Sequence, residues 1–211
     1  FTDAQYSEAG AQIAYSKEEL FKAEVIVKIQ PLTDEELEYL KHGATLVSAL
    51  NMQKSTKEYF EKLNRKKVTA LAYEFIEDNA GGLPLIRAMS EIAGSTVMLI
   101  AAECLSSANN GMGVILGGVT GVPPTKVVFL GAGTVSEYAA RTAISLGADV
   151  KVFDKDIYKL QRLKHAIGQH VYTCIIDSHV LPEAIIQADV VIGALRAENG
   201  FTPCIITEEM V

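Results

Sequence analysis

The residues best placed to act together are a glycine-rich turn and an acid that follows it. Lys126-Val127-Val128-Phe129-Leu130 reads as a strand and runs into Gly131-Ala132-Gly133-Thr134-Val135-Ser136, after which Glu137–Leu146 reads as a helix. Glycines at such a turn let backbone N–H groups approach a pyrophosphate, and the helix N-terminus adds a partial positive charge there. The next strand, Val150–Phe153, ends in Asp154, 23 residues after Gly131. An acid about 20 residues on meets the adenosine ribose of a dinucleotide. A carboxylate there accepts from a 2′-hydroxyl and repels a 2′-phosphate, which predicts NAD rather than NADP as cofactor. The third small position of the fingerprint holds Ser136 instead of Gly. That position packs the helix on the strand, so one extra oxygen predicts a small packing cost.

Little else in the chain has catalytic or metal-binding spacing. His42, His165, His170 and His179 pair with no Cys, Asp or Glu at metal-ligand distance in sequence, so no metal site is expected. Cys104, Cys174 and Cys204 are far apart and odd in number, which argues against a disulfide framework and predicts a reduced, cytoplasmic setting. Tyr73-Glu74 stands at a strand end and reads as structural, holding a connector, and Lys28 reads as a solvated strand-end lysine.

These groups must be held by elements that alternate almost throughout. Strands are expected at Gln12–Tyr15, Val25–Ile29, Thr45–Leu50, Val68–Tyr73, Lys126–Leu130, Val150–Phe153, Val171–Ile175 and Val190–Ile192, several of them Val- and Ile-rich with little alternation, as in buried parallel strands. Capping boxes at Ser16/Glu19 and Thr33/Glu36 start two of the intervening helices. The longest helix is expected from about Pro84 to Ser107. The breaks are Asn79-Ala80-Gly81-Gly82 and the segment from Asn109 to Pro124, which holds five glycines and two prolines. The fold class is therefore α/β, with two doubly wound domains and a cleft between them. A substrate-side domain is expected over residues 1–84, a connecting helix over 85–111 and a Rossmann domain over 112–211. Both chain ends read as cut, so the first domain is expected to lack its first strand or strands and the second its C-terminal part.

The 211 residues carry 19 Lys+Arg against 26 Asp+Glu, a net charge of −7. That balance argues against a general nucleic-acid or membrane-surface binder. The longest apolar run, around Val97–Ala102, is bounded by Ser, Thr and Glu and is shorter than the roughly 18 residues of a membrane span.

The motifs in sequence resemble the family of alanine dehydrogenases and NAD(P) transhydrogenase α-subunits. Ala72-Tyr73-Glu74, Leu83-Pro84-Leu85, Met89-Ser90-Glu91-Ile92-Ala93-Gly94, Gly117-Gly118-Val119-Thr120-Gly121-Val122-Pro123-Pro124, Ala188-Asp189-Val190-Val191-Ile192-Gly193-Ala194 and Thr207-Glu208-Glu209-Met210-Val211 carry the likeness, with wording closer to alanine dehydrogenases. The resemblance implies an incomplete flavodoxin-like substrate domain beside a Rossmann domain. It implies NAD-dependent oxidation of L-alanine to pyruvate and ammonia, a small-molecule substrate of the L-alanine/pyruvate class, and a homo-oligomer, from dimer to hexamer. It places Ser90 on the pyrophosphate, Gly131, Gly133, Val135 and Ser136 in the cofactor turn, Asp154 on the ribose, Lys159 on the adenosine side and Leu195 along the nicotinamide half. At the positions where alanine dehydrogenases carry a substrate-holding Lys and an acid/base His, this chain carries Gln30 and Asn51. Transhydrogenases also lack that Lys and His, so a transhydrogenase-like NAD(H)-binding subunit and a non-catalytic NAD-binding relative stand beside the dehydrogenase as readings.

Overall fold

In a computed structural model, residues 1–52, 55–176, 179–195 and 204–210 are described. The chain divides into two compact units, Phe1–Leu85 and Ile86–Val211.

The first unit opens with α1 (Asp3–Glu8), started by a Thr2/Gln5 capping box, and α2 (Lys17–Leu20). Three parallel strands follow, β1 (Val25–Val27), β2 (Thr45–Ser48) and β3 (Thr69–Ala72), with α3 (Asp34–Tyr39) and α4 (Lys57–Arg65) as crossovers. The strand order is β1-β2-β3, with Ile26, Leu46 and Ala70 in register. Right-handed crossovers between strands in sequential order lie on one face. That face holds the unit's core, where Ile26 and Leu46 pack with Leu32, Leu37, Tyr59 and Leu63. The opposite face leaves Val25, Val27 and Leu71 exposed.

Two local expectations are corrected here. Gln12–Tyr15 is not a strand: its run is short and apolar, but among the described residues no strand pairs with it, and a strand exists only through its pairing. The Ser16/Glu19 capping box forms by half. Ser16 Oγ accepts from Glu19 N, while the Glu19 carboxylate takes the N–H of Tyr15 instead of Ser16. The Thr33/Glu36 box is complete.

The second unit is entered along α5 (Pro84–Leu105). One face of this helix, with Gly94, Met98, Ala101 and Leu105, is buried. By length and composition α5 is long and apolar enough to cross a membrane, unlike the shorter run expected from sequence. Ser95 and Thr96, which interrupt the run, turn their hydroxyls back onto the carbonyls of Glu91 and Ile92, so they add little polarity to it. After α5 the glycine-rich stretch docks on the next helix, where Gly118 N–H donates to Leu146 O at 3.1 Å.

The sheet of this unit contains β4 (Lys126–Leu130), β5 (Asp149–Asp154), β6 (Tyr172–Ile175) and β7 (Val190–Gly193), all parallel, in the order β6-β5-β4-β7. α6 (Thr134–Ser145), α7 (Ile157–Ile167) and α8 (Val180–Ile186) connect them. The chain moves outward from β4 to β6 and then returns to pair β7 with the other edge of β4. That reversal is the switch point at which open α/β sheets bind ligands, outside the carboxyl ends of the strands. Both faces are covered: Met98, Val127, Phe129, Ala140 and Leu163 form one core, and Val128, Leu130, Phe153, Leu181 and Ile185 the other. The fold class is α/β with parallel sheets, as expected.

Glu36 links the first unit's local structure to pH. Its Oε2 accepts from Thr33 N at 2.7 Å and from Lys28 Nζ at 2.6 Å. Burial pushes this carboxyl up, but the Lys28 ammonium and the Thr33 N–H outweigh it and hold its pKa below the ordinary 4.5. A carboxyl depressed by folding stabilises above its unfolded pKa, about 4.3, and loses that contribution as pH falls through the folded value. Urea unfolding of the first unit, followed by tyrosine fluorescence, is therefore expected to lose stability as pH drops from about 5 toward 3, and Glu36→Gln to flatten that slope.

Candidate functional site

In the second unit the carboxyl end of β4 is shaped by what lies beside it. Gly131 has φ +106°, and a Cβ there would lie 2.6 Å from Ala194 O at the end of β7. Only glycine lets the two strand ends approach this closely. Around Gly133 a Cβ would meet nothing within 4 Å, so the turn has open space on that side. Gly133 is also the N-cap of α6 and offers no side-chain cap, leaving the first-turn amides without a side-chain acceptor. A turn with room on one side and uncapped amides fits a pyrophosphate.

Asp154 ends β5 and is buried. Its Oδ2 accepts from Ala132 N at 2.7 Å and its Oδ1 from Asp156 N at 2.9 Å. A carboxylate has about four acceptor sites, so each oxygen keeps one beyond its amide contact among the described residues. Asp156 in turn caps α7, accepting from Tyr158 N and Lys159 N. Of the residues expected from sequence, Gly131, Gly133, Val135, Ser136, Asp154 and Leu195 gather at this edge, Leu195 N lying 3.3 Å from where a Gly131 Cβ would stand. Lys159 is exposed in the first turns of α7, and Ser90 is half-buried on α5.

Three residues that sequence reading passed over also shape this edge. Gly94 lies one turn after Ser90, and a Cβ on it would come within 2.4 Å of Val135 O, so α5 packs directly against the first turn of α6. Its motif was visible in sequence, but its packing partner was not. Glu137 on α6 and Arg162 on α7 form an ion pair at 2.9 Å, and Arg162 Nη2 also donates to Ala132 O at 3.0 Å. They stand 25 residues apart, a separation that carries no sequence signal. Ser136 is fully buried, and its Oγ has no hydrogen-bond partner among the described residues.

The first unit presents a second cluster at the carboxyl ends of its strands. Tyr73 O–H donates to Ile29 O at 2.9 Å, and Glu74 Oε1 accepts from both Leu50 N and Asn51 N at 2.9 Å. Tyr73 and Glu74 thus tie the ends of β1 and β2 to β3, a structural role. Gln30 and Asn51 occupy those tied ends, and Asn51 takes the left-handed conformation, φ +50°. Glu74 Oε2 is buried with no hydrogen-bond partner among the described residues. Lys28 is not a solvated strand-end lysine, since Glu36 holds it. Among the described residues no group of three or more His, Cys, Asp or Glu is placed to hold a metal ion.

Two substitutions test this packing. Ser136→Ala removes a buried, unpaired oxygen from the α6 first turn and is expected to stabilise the second unit by about 1 kcal/mol, read as a higher denaturant midpoint. Gly94→Ala forces α5 off the α6 backbone and is expected to destabilise by about 1–3 kcal/mol in the same assay.

Residues 1–93 match the family described as Alanine dehydrogenase/PNT, N-terminal domain, and residues 97–211 match Alanine dehydrogenase/PNT, C-terminal domain. Alanine dehydrogenase 2 of Staphylococcus aureus (strain USA300) is 35% identical over all 211 residues, and the chain covers 56% of that protein. The chain thus spans little more than half the length of the curated relatives it matches. A solved L-alanine dehydrogenase superposes over the whole chain with TM-score 0.90 at 34% identity, the chain covering 58% of it. A transhydrogenase from Sinorhizobium meliloti superposes with TM-score 0.83 at 22% identity over the whole chain and 61% of its own, a likeness of fold. With both of its halves matched, the chain belongs to the alanine dehydrogenase/PNT family.

Proposed function

We propose that the chain is part of an NAD-dependent amino-acid dehydrogenase resembling alanine dehydrogenase, which oxidises L-alanine with water to pyruvate and ammonia. The observation that carries this reading is Asp154, buried at the end of β5 and bonded to the Gly131–Gly133 turn, with an acceptor site free on each oxygen. When bound, the nicotinamide supplies the hydride acceptor. Asp154 would take the ribose, where its charge disfavours a 2′-phosphate. Gly131, Gly133, Val135 and Ser136 would border the pyrophosphate with Ser90, Lys159 would lie on the adenosine side and Leu195 along the nicotinamide half. The 35% identity to a protein named alanine dehydrogenase supports the substrate class. The family resemblance also supports a homo-oligomer, from dimer to hexamer, and the sparse, unpaired cysteines support a cytoplasmic setting.

Gln30 and Asn51 favour a second reading. Oxidising an amine and hydrolysing the imine require a proton acceptor with a pKa near working pH. Neither side-chain amide titrates in that range, and Gln30 brings no positive charge to a substrate carboxylate. If no other group serves, the chain is a transhydrogenase-like NAD(H)-binding subunit or a non-catalytic NAD-binding relative.

The test uses the full-length protein, measuring NADH absorbance with L-alanine plus NAD and, in reverse, with pyruvate, ammonia and NADH. Saturable turnover is expected. Tight NADH binding without turnover points to the second reading, and no NADH binding overturns both. Asp154→Asn is expected to weaken NADH about tenfold while NADPH changes little, narrowing the preference between them, as read by fluorescence titration.

A further inference from the structure

The turn between β4 and α6 is held at one residue by charged groups from separate elements. Ala132 is fully buried. Asp154 takes its N–H from the end of β5 at 2.7 Å, and Arg162 reaches its C=O from α7 at 3.0 Å. The guanidinium is itself held. Its Nη1 meets Glu137 Oε2 at 2.9 Å, and the other oxygen of Glu137 meets Arg141 Nη2 at 3.0 Å. The same Arg141 nitrogen, Nη2, also donates to Ala166 O at 2.6 Å. The line from Ala166 through Arg141, Glu137 and Arg162 ends on the Ala132 carbonyl inside the glycine turn.

The chemistry of this line needs Arg at position 162. One nitrogen must face a carboxylate on α6 while another faces a carbonyl in the turn. A planar fork does this with a single rotamer, whereas an ammonium is one point charge on a flexible stem. The ion pair alone is a weak reason for the arrangement, because the Arg162 side chain is 51% exposed and pairs of that kind add little stability. The contact with a fully buried carbonyl is different, since it fixes the plane of a peptide within the turn.

We propose that Arg162 is a positioning residue for the dinucleotide turn, with Glu137 and Arg141 fixing its guanidinium. By holding the Ala132 carbonyl against the pull of Asp154 on the Ala132 amide, it keeps the uncapped amides of the α6 first turn aimed at one point. This rests on the cofactor reading of the turn. It extends that reading to residues beyond the glycines and the acid, and it makes affinity for the dinucleotide depend on the contact between Arg162 and the Ala132 carbonyl.

The test compares Arg162→Lys with a charge-exchanged double variant, Glu137→Arg with Arg162→Glu, in the full-length protein. The exchange keeps opposite charges facing one another but leaves no donor for Ala132 O. Arg162→Lys is expected to unfold at the unsubstituted midpoint, and the double variant somewhat below it, because Glu137→Arg sets a second guanidinium beside Arg141. In both, amide hydrogen exchange of the peptide covering residues 130–136 is expected to quicken about tenfold without nucleotide, while peptides in β5 stay unchanged. NADH dissociation constants are expected to rise about tenfold. Recovery of normal exchange and binding by the double variant overturns the proposal, because the ion pair alone then suffices. Unchanged exchange and binding in Arg162→Lys overturns it while the cofactor reading stands. No NADH binding by the unsubstituted protein overturns the cofactor reading and the proposal with it. If Arg162→Lys does not fold, the double variant decides between these outcomes.

Discussion

The carboxylate of Asp154 does two structural jobs at once, and the arrangement of the second sheet's ligand edge follows from them. One oxygen satisfies the buried amide of Ala132, and the other satisfies Asp156, which caps α7. Without the first bond a fully buried N–H would lack a partner, at a cost of about 1–3 kcal/mol. The end of β5 therefore decides where the preceding turn lies and where the following helix starts. The proposed ribose contact would ask nothing more of this carboxylate than its remaining lone pairs. The two amide bonds alone make the position tolerate little change.

The first unit solves a similar problem with different residues. Its strands are short, and their carboxyl ends would be free to move if left to strand pairing alone. Tyr73 and Glu74 close that edge from β3, reaching the carbonyl of Ile29 and the amides of Leu50 and Asn51. The left-handed backbone at Asn51 belongs to this arrangement. Asn, Asp and His are the non-glycine residues most often found there. Where the family resemblance implies a His, Asn51 suits the same backbone but brings no ring able to carry a proton near neutral pH.

What was legible in sequence follows the range of the interactions involved. Several of the described strands were visible because Val- and Ile-rich runs record burial on a sheet, and the Gly131 turn because its strand, glycines and acid lie within one βαβ unit. Gln12–Tyr15 misled because a short apolar run records only a preference for burial, whereas a strand also needs a partner. Lys28 misled for a related reason. Glu36 was recognised as half of a capping box, and nothing in that pattern shows that the same oxygen also holds an ammonium eight residues earlier. Gly94 and Arg162 act across helix–helix contacts, where residue spacing carries no information. Ser136 was legible as an extra oxygen, and the structure adds that this oxygen finds no partner among the described residues.

Family likeness and catalytic chemistry are separable in this chain for a physical reason. The features that make it a member are backbone constraints: a turn too close to Ala194 for a side chain, a helix crossing too close to Val135 for one, and a carboxylate bonded to two amides. Each is costly to lose whatever reaction the protein performs. Gln30 and Asn51 are different, because the backbone around them is held by Tyr73 and Glu74 and not by their own side chains. Exchanges there leave the scaffold intact, so the fold persists while the chemistry changes. The family likeness therefore rests on features spread over both halves of the chain, whereas the proposed reaction turns on what Gln30 and Asn51 can do.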